Sequence, residues 1–288
     1  MSIGFEGKVA VVTGAGGGLG RCHALELAKR GAKVVVNDLG GAMDGTGGSS
    51  EAADAVVAEI KAAGGEASAN GGSVSDAQGA KSMIEQAMDT YGRVDILINN
   101  AGILRDKSFA KMEMADFRLV VEVHLMGSVM CTQAAWPIMR EQGYGRIVMT
   151  TSPSGLYGNF GQANYGAAKL GLVGFMNTLK IEGARNNVHT NAIAPVAATR
   201  MTENLIPEEA LKALGPELIT PAVVYLCSDA APNGVIVQAA GGKFSVACMV
   251  ENQGVDLGVN ATVEDVAENF EAIVDLTGAQ PRGMLQLG

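Results

Sequence analysis

Tyr165-Gly166-Ala167-Ala168-Lys169 places a phenol and an ammonium four residues apart in a stretch of helical spacing, so both leave the helix on one face. A cation beside a phenol favours the phenolate and lowers a pKa that starts at about 10. A phenol tuned in this way gives or takes a proton as a general acid or base. The same spacing also describes an ordinary pair on a helix surface. Ser152 adds a hydroxyl just past a buried strand, at the carboxyl edge where open α/β sheets bind ligands. A second constellation lies near the N-terminus, where Thr13-Gly14-Ala15-Gly16-Gly17-Gly18-Leu19-Gly20 joins a strand to a helix. Glycines permit the tight turn, and the helix N-terminus offers unpaired N–H groups to a pyrophosphate. Here they fall at Gly14, Gly18 and Gly20, as TGxxxGxG rather than the plain GxGxxG. Asp38 closes the next strand, where a carboxylate either accepts the adenosine ribose hydroxyls and repels a 2′-phosphate or caps a turn. No Arg or Lys stands at 15–17 or 39–41 to receive that phosphate, so the spacing predicts NAD over NADP.

Elements of the right kind surround these residues. Continuously apolar segments at 8–13, 33–38, 94–99, 145–151 and 188–193, with weaker ones at 66–70 and 235–239, read as seven strands. Helical patterns at 19–30, 52–62, 76–91, 116–141 and 164–185 alternate with them. Buried strands joined by helices predict an α/β fold, a doubly wound parallel sheet with right-handed crossovers. No Pro- or Ser-rich linker divides the chain, which predicts one Rossmann-type domain over residues 1–242. Residues 39–50 (LGGAMDGTGGSS) read as a mobile surface loop. Residues 243–288 read as a C-terminal extension packed on the same domain or at a dimer interface. Within it, Val263, Val266, Ala267, Phe270, Ile273 and Val274 share one helical face, with Thr262 as N-cap and Asp265 in a capping-box position.

The 288 residues are 48% hydrophobic and 18% charged, enough for a large core and unlike a disordered segment. The net charge of −9 argues against nucleic acid as a partner. No apolar run is long enough to cross a bilayer, and residues 1–9 lack a signal-peptide pattern, so a soluble cytoplasmic protein is expected. Cys22, Cys131, Cys227 and Cys248 show no CxxC spacing, and with His23, His124 and His189 they form no metal-ligand pattern. The first three cysteines read as small core residues. The 39 glycines cluster at the turns that many strand-to-helix connections need.

TGxxxGxG, Asn99-Asn100-Ala101-Gly102 after the fourth strand, Ser152 and YxxxK, in this order, resemble the short-chain dehydrogenase/reductase superfamily over about residues 5–242. The resemblance implies a Rossmann-like seven-stranded sheet of order 3-2-1-4-5-6-7 and conversion of an alcohol to a ketone or the reverse. It implies Tyr165 as proton donor or acceptor and Ser152 as the group bonded to the substrate oxygen. It implies that Lys169 lowers the Tyr165 pKa and holds the nicotinamide ribose. The stretches 34–41, 99–109, 144–172 and 193–202 are more narrowly similar to the (3R)-hydroxyacyl-CoA dehydrogenase units of peroxisomal multifunctional type 2 enzymes, also called type 4 17β-hydroxysteroid dehydrogenases. The loop at 39–50 and the C-terminal extension resemble that subgroup too.

By that resemblance Gly14, Gly18, Leu19, Gly20, Asp38, Ser73, Val74, Asn100, Ala101, Gly102, Tyr165, Lys169, Pro195, Ala198 and Thr199 hold the NAD, Ala197 and Arg200 lie beside it, and a homodimer or homotetramer is expected. The chain departs from the pattern in three places. His124 stands where many members carry Asn, and is either a structural histidine or part of a water-linked proton path. Gly72 replaces an Asp that would meet the adenine amino group, and Pro195-Val196 replaces the usual Pro-Gly.

The substrate is less determined. Met201, Leu205, Ile206 and Leu211, in a loop with a short helix after the sixth strand, either line an acyl channel or pack that helix on the body. Arg105, Lys107, Arg200 and Lys212 either meet CoA phosphates or are solvated surface charges. The leading expectation is an NAD-dependent (3R)-3-hydroxyacyl-CoA dehydrogenase. A 17β-hydroxysteroid or other secondary-alcohol dehydrogenase is the alternative enzyme. A 3-oxoacyl-carrier-protein reductase fits Asp38 less well, and a dinucleotide-binding module without turnover has no reason to keep Ser152, Tyr165 and Lys169.

Overall fold

The structure, a computed structural model, describes residues 3–42, 44–197 and 213–281. The chain divides into two compact units, Met1–Val246 and Ala247–Gly288.

The first unit alternates β1 (Val9–Thr13), α1 (Gly18–Lys29), β2 (Lys33–Asn37), α2 (Glu51–Ala62), β3 (Ala67–Asn70), α3 (Ala77–Tyr91) and β4 (Ile96–Asn99). It continues through α4 (Met114–Val121), α5 (Gly127–Gln142), β5 (Gly145–Thr150), α6 (Pro153–Tyr157), α7 (Ala163–Gly183), β6 (Val188–Val196), α8 (Thr220–Leu226), β7 (Ile236–Ala240) and β8 (Lys243–Ala247). The central strands form because their residues are apolar on both faces: every residue of β1, β4 and β5 is buried. Burying one such Val, Ile or Leu contributes about 1.5–3 kcal/mol, which offsets the conformational entropy lost on ordering it.

The sheet order is β3-β2-β1-β4-β5-β6-β7-β8, so the seven strands and their order agree with the sequence reading. Val11 pairs with Val35 on one side and Leu97 on the other, both in parallel register. The order reverses between β1 and β4, and the crevice at their carboxyl ends is the ligand position of such sheets.

Three features differ from the expectations. The eighth strand, β8, follows a two-residue turn at Gly241 and Gly242, whose φ of 52° and 80° suit a tight hairpin. The expected helix over 116–141 is broken by a π-helical turn at Glu122–Met126 between α4 and α5. Such turns are rare and concentrate at functional sites. The sixth strand also runs on to Val196, so Pro195 is a strand residue opposite Ala239 rather than part of the following loop.

The second unit holds a short antiparallel pair, β9 (Val250–Glu251) with β10 (Gln280–Pro281), and two helices, α9 (Val263–Glu268) and α10 (Phe270–Val274). Thr262 and Asp265 form the capping box. The single amphipathic helix expected here is split at Asn269, whose side chain and N–H both donate to the Asp265 carbonyl, at 2.8 and 3.2 Å. Val263, Val266, Phe270 and Val274 are all exposed in this chain.

Candidate active site

The glycine turn is built largely by what is missing from it. Gly14 and Gly18 have φ of 62° and 50°, in the left-handed region that favours glycine. A Cβ on Gly20 would strike the Gly14 carbonyl and the Asn100 amide. Thr13 Oγ1 accepts from the backbone N–H groups of Asn100 and Ala101 at 2.9 and 3.0 Å. In return the Asn100 side chain donates to the carbonyls of Thr13 and Gly14 at 3.0 and 3.1 Å. The NNAG segment thus holds the glycine turn in place. The first turn of α1 carries no acidic residue and Gly17 supplies no side-chain cap, which leaves its N–H groups open to an anion.

A cavity of about 260 Å³ opens there, lined by Gly14, Gly18, Leu19, Asp38, Ser73, Val74, Asn100, Ala101 and Gly102, all expected from the sequence. Asp38 anchors its edge: Oδ2 accepts from the Gly16 N–H and Oδ1 from the Gly40 N–H, both at 2.7 Å. The same carboxylate thus caps a turn, as one of its sequence readings had it, and also faces the cavity. No Lys or Arg lines the cavity among the described residues. Gly20, Pro195, Tyr165 and Lys169 do not line it either, Gly20 being a packing glycine. Ala198 and Thr199 lie outside the described residues, as do Arg200, Met201, Leu205, Ile206, Leu211 and Lys212.

Sequence reasoning missed part of this wall. Leu39, Gly41, Ala42 and Gly45 of the 39–50 segment line the cavity, as do Ile103, Leu119 and Val123. The segment is a surface loop, as expected, but it is also one side of the site. Gly72 has no room for a larger residue: a Cβ would meet the Gly79 carbonyl at 2.6 Å and Ser82 Oγ at 2.8 Å.

The proton-handling cluster is set by β5, α6 and α7. Ser152 is extended, caps α6 by accepting from the Ser154 N–H at 3.2 Å, and lies close enough to the Tyr165 phenol to lower its pKa. Lys169 is buried and donates its ammonium to the Thr150 carbonyl, with Nζ 5.4 Å from the Tyr165 ring centroid. Gly155 lets α6 lie directly on this turn of α7, since a Cβ there would come within 2.7 Å of Lys169 Cβ. That contact had no signal in the sequence.

The expectation that Lys169 lowers the Tyr165 pKa needs correction. Burial pushes the phenol up to about 12; the Ser152 hydroxyl works against that rise and the nearby Asp106 carboxylate adds to it. Burial also pushes the Lys169 ammonium down to about 7. Desolvation disfavours the charged form of both groups.

His124 sits in the π-helical turn, buried, with its ring 5.1 Å from that of Tyr165 in an edge-to-face arrangement. Its Nε2 lies 3.0 Å from the Ile103 nitrogen and 2.8 Å from the Ile103 oxygen, while Nδ1 has no partner among the described residues. Burial, assisted by Lys169, holds the imidazole well below its usual pKa and therefore neutral. Gly102 is glycine for this reason: a Cβ would collide with the His124 ring. The loop after β4 is tied to the start of α7, with Gln162 donating to Asp106 at 2.7 Å and Asn164 to the Arg105 carbonyl at 3.0 Å. Arg105 itself is not a free surface cation, because its guanidinium is bonded to Asp116 and to the Asp44 carbonyl.

An open parallel sheet with a glycine cradle at its switch point and a Ser-Tyr-Lys cluster beside it defines a dinucleotide-dependent oxidoreductase acting on CH–OH. The chain belongs to the short chain dehydrogenase family, whose sequence pattern matches residues 8–210. It is 52% identical over 281 residues to a short-chain type dehydrogenase/reductase of Mycobacterium tuberculosis, covering 97% of this chain and 98% of that one. It is 53% identical over 286 residues to the peroxisomal multifunctional enzyme type 2 of Drosophila melanogaster, covering 98% of this chain but 47% of the longer relative. The solved structure of that full-length enzyme superposes with a TM-score of 0.83 and 45% identity, over 98% of this chain and 48% of that one. A 7α-hydroxysteroid dehydrogenase solved with NADH and 7-oxo glycochenodeoxycholic acid superposes with a TM-score of 0.75 and 32% identity, over 83% of this chain and 95% of that one. The protein is thus an oxidoreductase acting on CH–OH with a nicotinamide dinucleotide, and the cradle described above fits that group.

Proposed function

We propose that the protein is an NAD-dependent dehydrogenase interconverting (3R)-3-hydroxyacyl-CoA and 3-oxoacyl-CoA. The observation that carries the cofactor is Asp38, anchored by two backbone N–H groups at the edge of a cavity that no Lys or Arg lines among the described residues. A fixed carboxylate there accepts ribose hydroxyls and repels a 2′-phosphate. The substrate class is supported by similarity to the multifunctional type 2 enzyme along nearly the whole of this chain.

In this reading Gly14, Gly18, Leu19 and the α1 N-terminus hold the pyrophosphate, and Ser73 and Val74 flank the adenine. The bound nicotinamide supplies the hydride acceptor for alcohol oxidation. Ser152 bonds the substrate oxygen and hands its geometry to Tyr165, whose Oη takes the hydroxyl proton. In the reducing direction Oη donates that proton, which suits a phenol held neutral by burial. Lys169, titrating near neutrality, places a switchable positive charge behind the phenol. A homodimer or homotetramer, its subunits meeting through apolar surface such as that of α9 and α10, completes the reading.

A steroid secondary alcohol is the second reading, favoured by the likeness to the 7α-hydroxysteroid dehydrogenase. Initial rates of nicotinamide absorbance with NAD and NADP test both, offering (3R)- and (3S)-3-hydroxyacyl-CoA beside 17β-estradiol. Reduction of NAD with the (3R) thioester alone supports the acyl-CoA reading. Turnover of the steroid alone keeps the Ser-Tyr-Lys chemistry and discards the acyl-CoA.

A further inference from the structure

The 39–50 segment is folded on itself rather than on a regular element. Ser49 donates to the Leu39 carbonyl at 2.9 Å and closes the loop, and Ala42 donates to the Thr46 carbonyl at 2.8 Å. Thr46 donates through both its N–H and its hydroxyl to Asp44 Oδ1 at 3.0 and 2.7 Å. Two features tie this folded loop to the body across the cavity. Gly45 packs on Ile103, where a Cβ would come within 3.3 Å of two methyl carbons. Arg105 Nε donates to the Asp44 carbonyl at 2.8 Å, a bond spanning 61 positions of sequence.

Arg105 is itself held firmly. Its Nη1 donates to Asp116 Oδ1 at 2.8 Å, and that carboxylate, on α4, is only 14% exposed. Its carbonyl accepts from the buried Asn164, the residue before Tyr165. The Lys107 N–H donates to the Gly161 carbonyl at 2.9 Å, so the strip from 105 to 107 is pinned to the entry of α7. One guanidinium thus links the wall formed by Leu39, Gly41, Ala42 and Gly45 to the frame that carries the catalytic tyrosine.

We propose that Arg105 is a latch: it holds the 39–50 segment against the cavity and thereby sets how long the dinucleotide stays bound. This rests on the reading of the cavity as the nicotinamide dinucleotide site. A planar guanidinium suits the task because its fixed fork serves the Asp116 carboxylate and the Asp44 carbonyl in one geometry. Arg105 touches neither reacting atom, so it is a positioning residue. It is also a point at which the cofactor wall and the strip from 105 to 107 share a single side chain.

The test is stopped-flow release of NADH from the purified full chain, read by nicotinamide fluorescence, together with amide hydrogen exchange of residues 40–49. Wild type is compared with Arg105→Met, which keeps the length and loses the donors, with Arg105→Lys, and with Asp116→Asn. A hydrogen bond from a charged donor is commonly worth one to two decades in an equilibrium, so NADH is expected to leave Arg105→Met at least about tenfold faster. Exchange at 40–49 is expected to rise in the same variant and to be partly restored in Arg105→Lys. Asp116→Asn, which leaves the latch in place but removes its orienting charge, is expected to fall between the two and reports even if Arg105→Met folds poorly. A release rate within twofold of wild type in Arg105→Met, or in Asp116→Asn where Arg105→Met fails to fold, overturns the latch. A wild-type protein that retains neither NADH nor NADPH overturns the reading of the cavity, and the latch with it.

Discussion

The two halves of the site work by opposite means. The cradle at the carboxyl ends of β1 and β4 acts through backbone: glycines with no Cβ, open N–H groups at α1, and an aspartate whose oxygens are fixed by two amides. The cluster on β5, α6 and α7 acts through side chains whose charges burial opposes, with Tyr165 pushed up and Lys169 pushed down. The first tolerates no added volume; the second tolerates no change of protonation chemistry. Substitutions should therefore separate binding from turnover, and each prediction below strains that division at a different place.

The largest effect is expected at Tyr165. Replacing it by Phe removes the proposed proton carrier while leaving the ring on His124, and turnover should fall by at least about 10²–10⁴-fold, the usual worth of general acid–base catalysis, in steady-state assays at saturating cofactor. Next is Gly20→Val in the cradle. Its side chain would meet the Gly14 carbonyl and the Asn100 amide, so NADH affinity measured by fluorescence titration should drop by at least about a hundredfold, the scale of an overpacked contact. Asp38→Ala is smaller. Losing a charged hydrogen-bond acceptor should weaken NAD by about tenfold and narrow its preference over NADP. An unchanged cofactor ratio would leave Asp38 only as the cap of the Gly16 and Gly40 amides.

The smallest and most specific expectation concerns pH. The Lys169 pKa is lowered in the folded state, from 10.5 to about 7, so the unfolded chain holds more protons within that window. Stability should therefore rise with pH between those two values, and Lys169→Met should flatten that slope in denaturant titrations. In the same variant the limb of the alcohol-oxidation pH profile that falls near neutrality should be lost, because the ammonium that titrates there is gone. That limb belongs to the Tyr165–Lys169 pair rather than to either residue alone.

Much of the fold was legible because β1, β4 and β5 are buried on both faces, and such strands read as continuous apolar runs. β8 was not, since four of its five residues are exposed and its pattern is that of a loop. The π-helical turn was invisible because no periodicity encodes it, nor the contact of its His124 with Ile103. In the site, glycine spacing and YxxxK named the residues, but the direction of the Tyr165 shift follows from burial, which residue types alone do not reveal. The part played by residues 39–50 was hidden for a similar reason. Glycines carry no side chain to advertise a wall, and their tie to Arg105 is long-range.

The separation of cradle from proton site is tested most directly by titrating Tyr165→Phe with NADH beside wild type. The account expects a dissociation constant within about threefold of wild type, under 1 kcal/mol, in a protein that has lost its turnover. A variant that still turns over near the wild-type rate, or one whose NADH affinity falls in step with its activity, would contradict it.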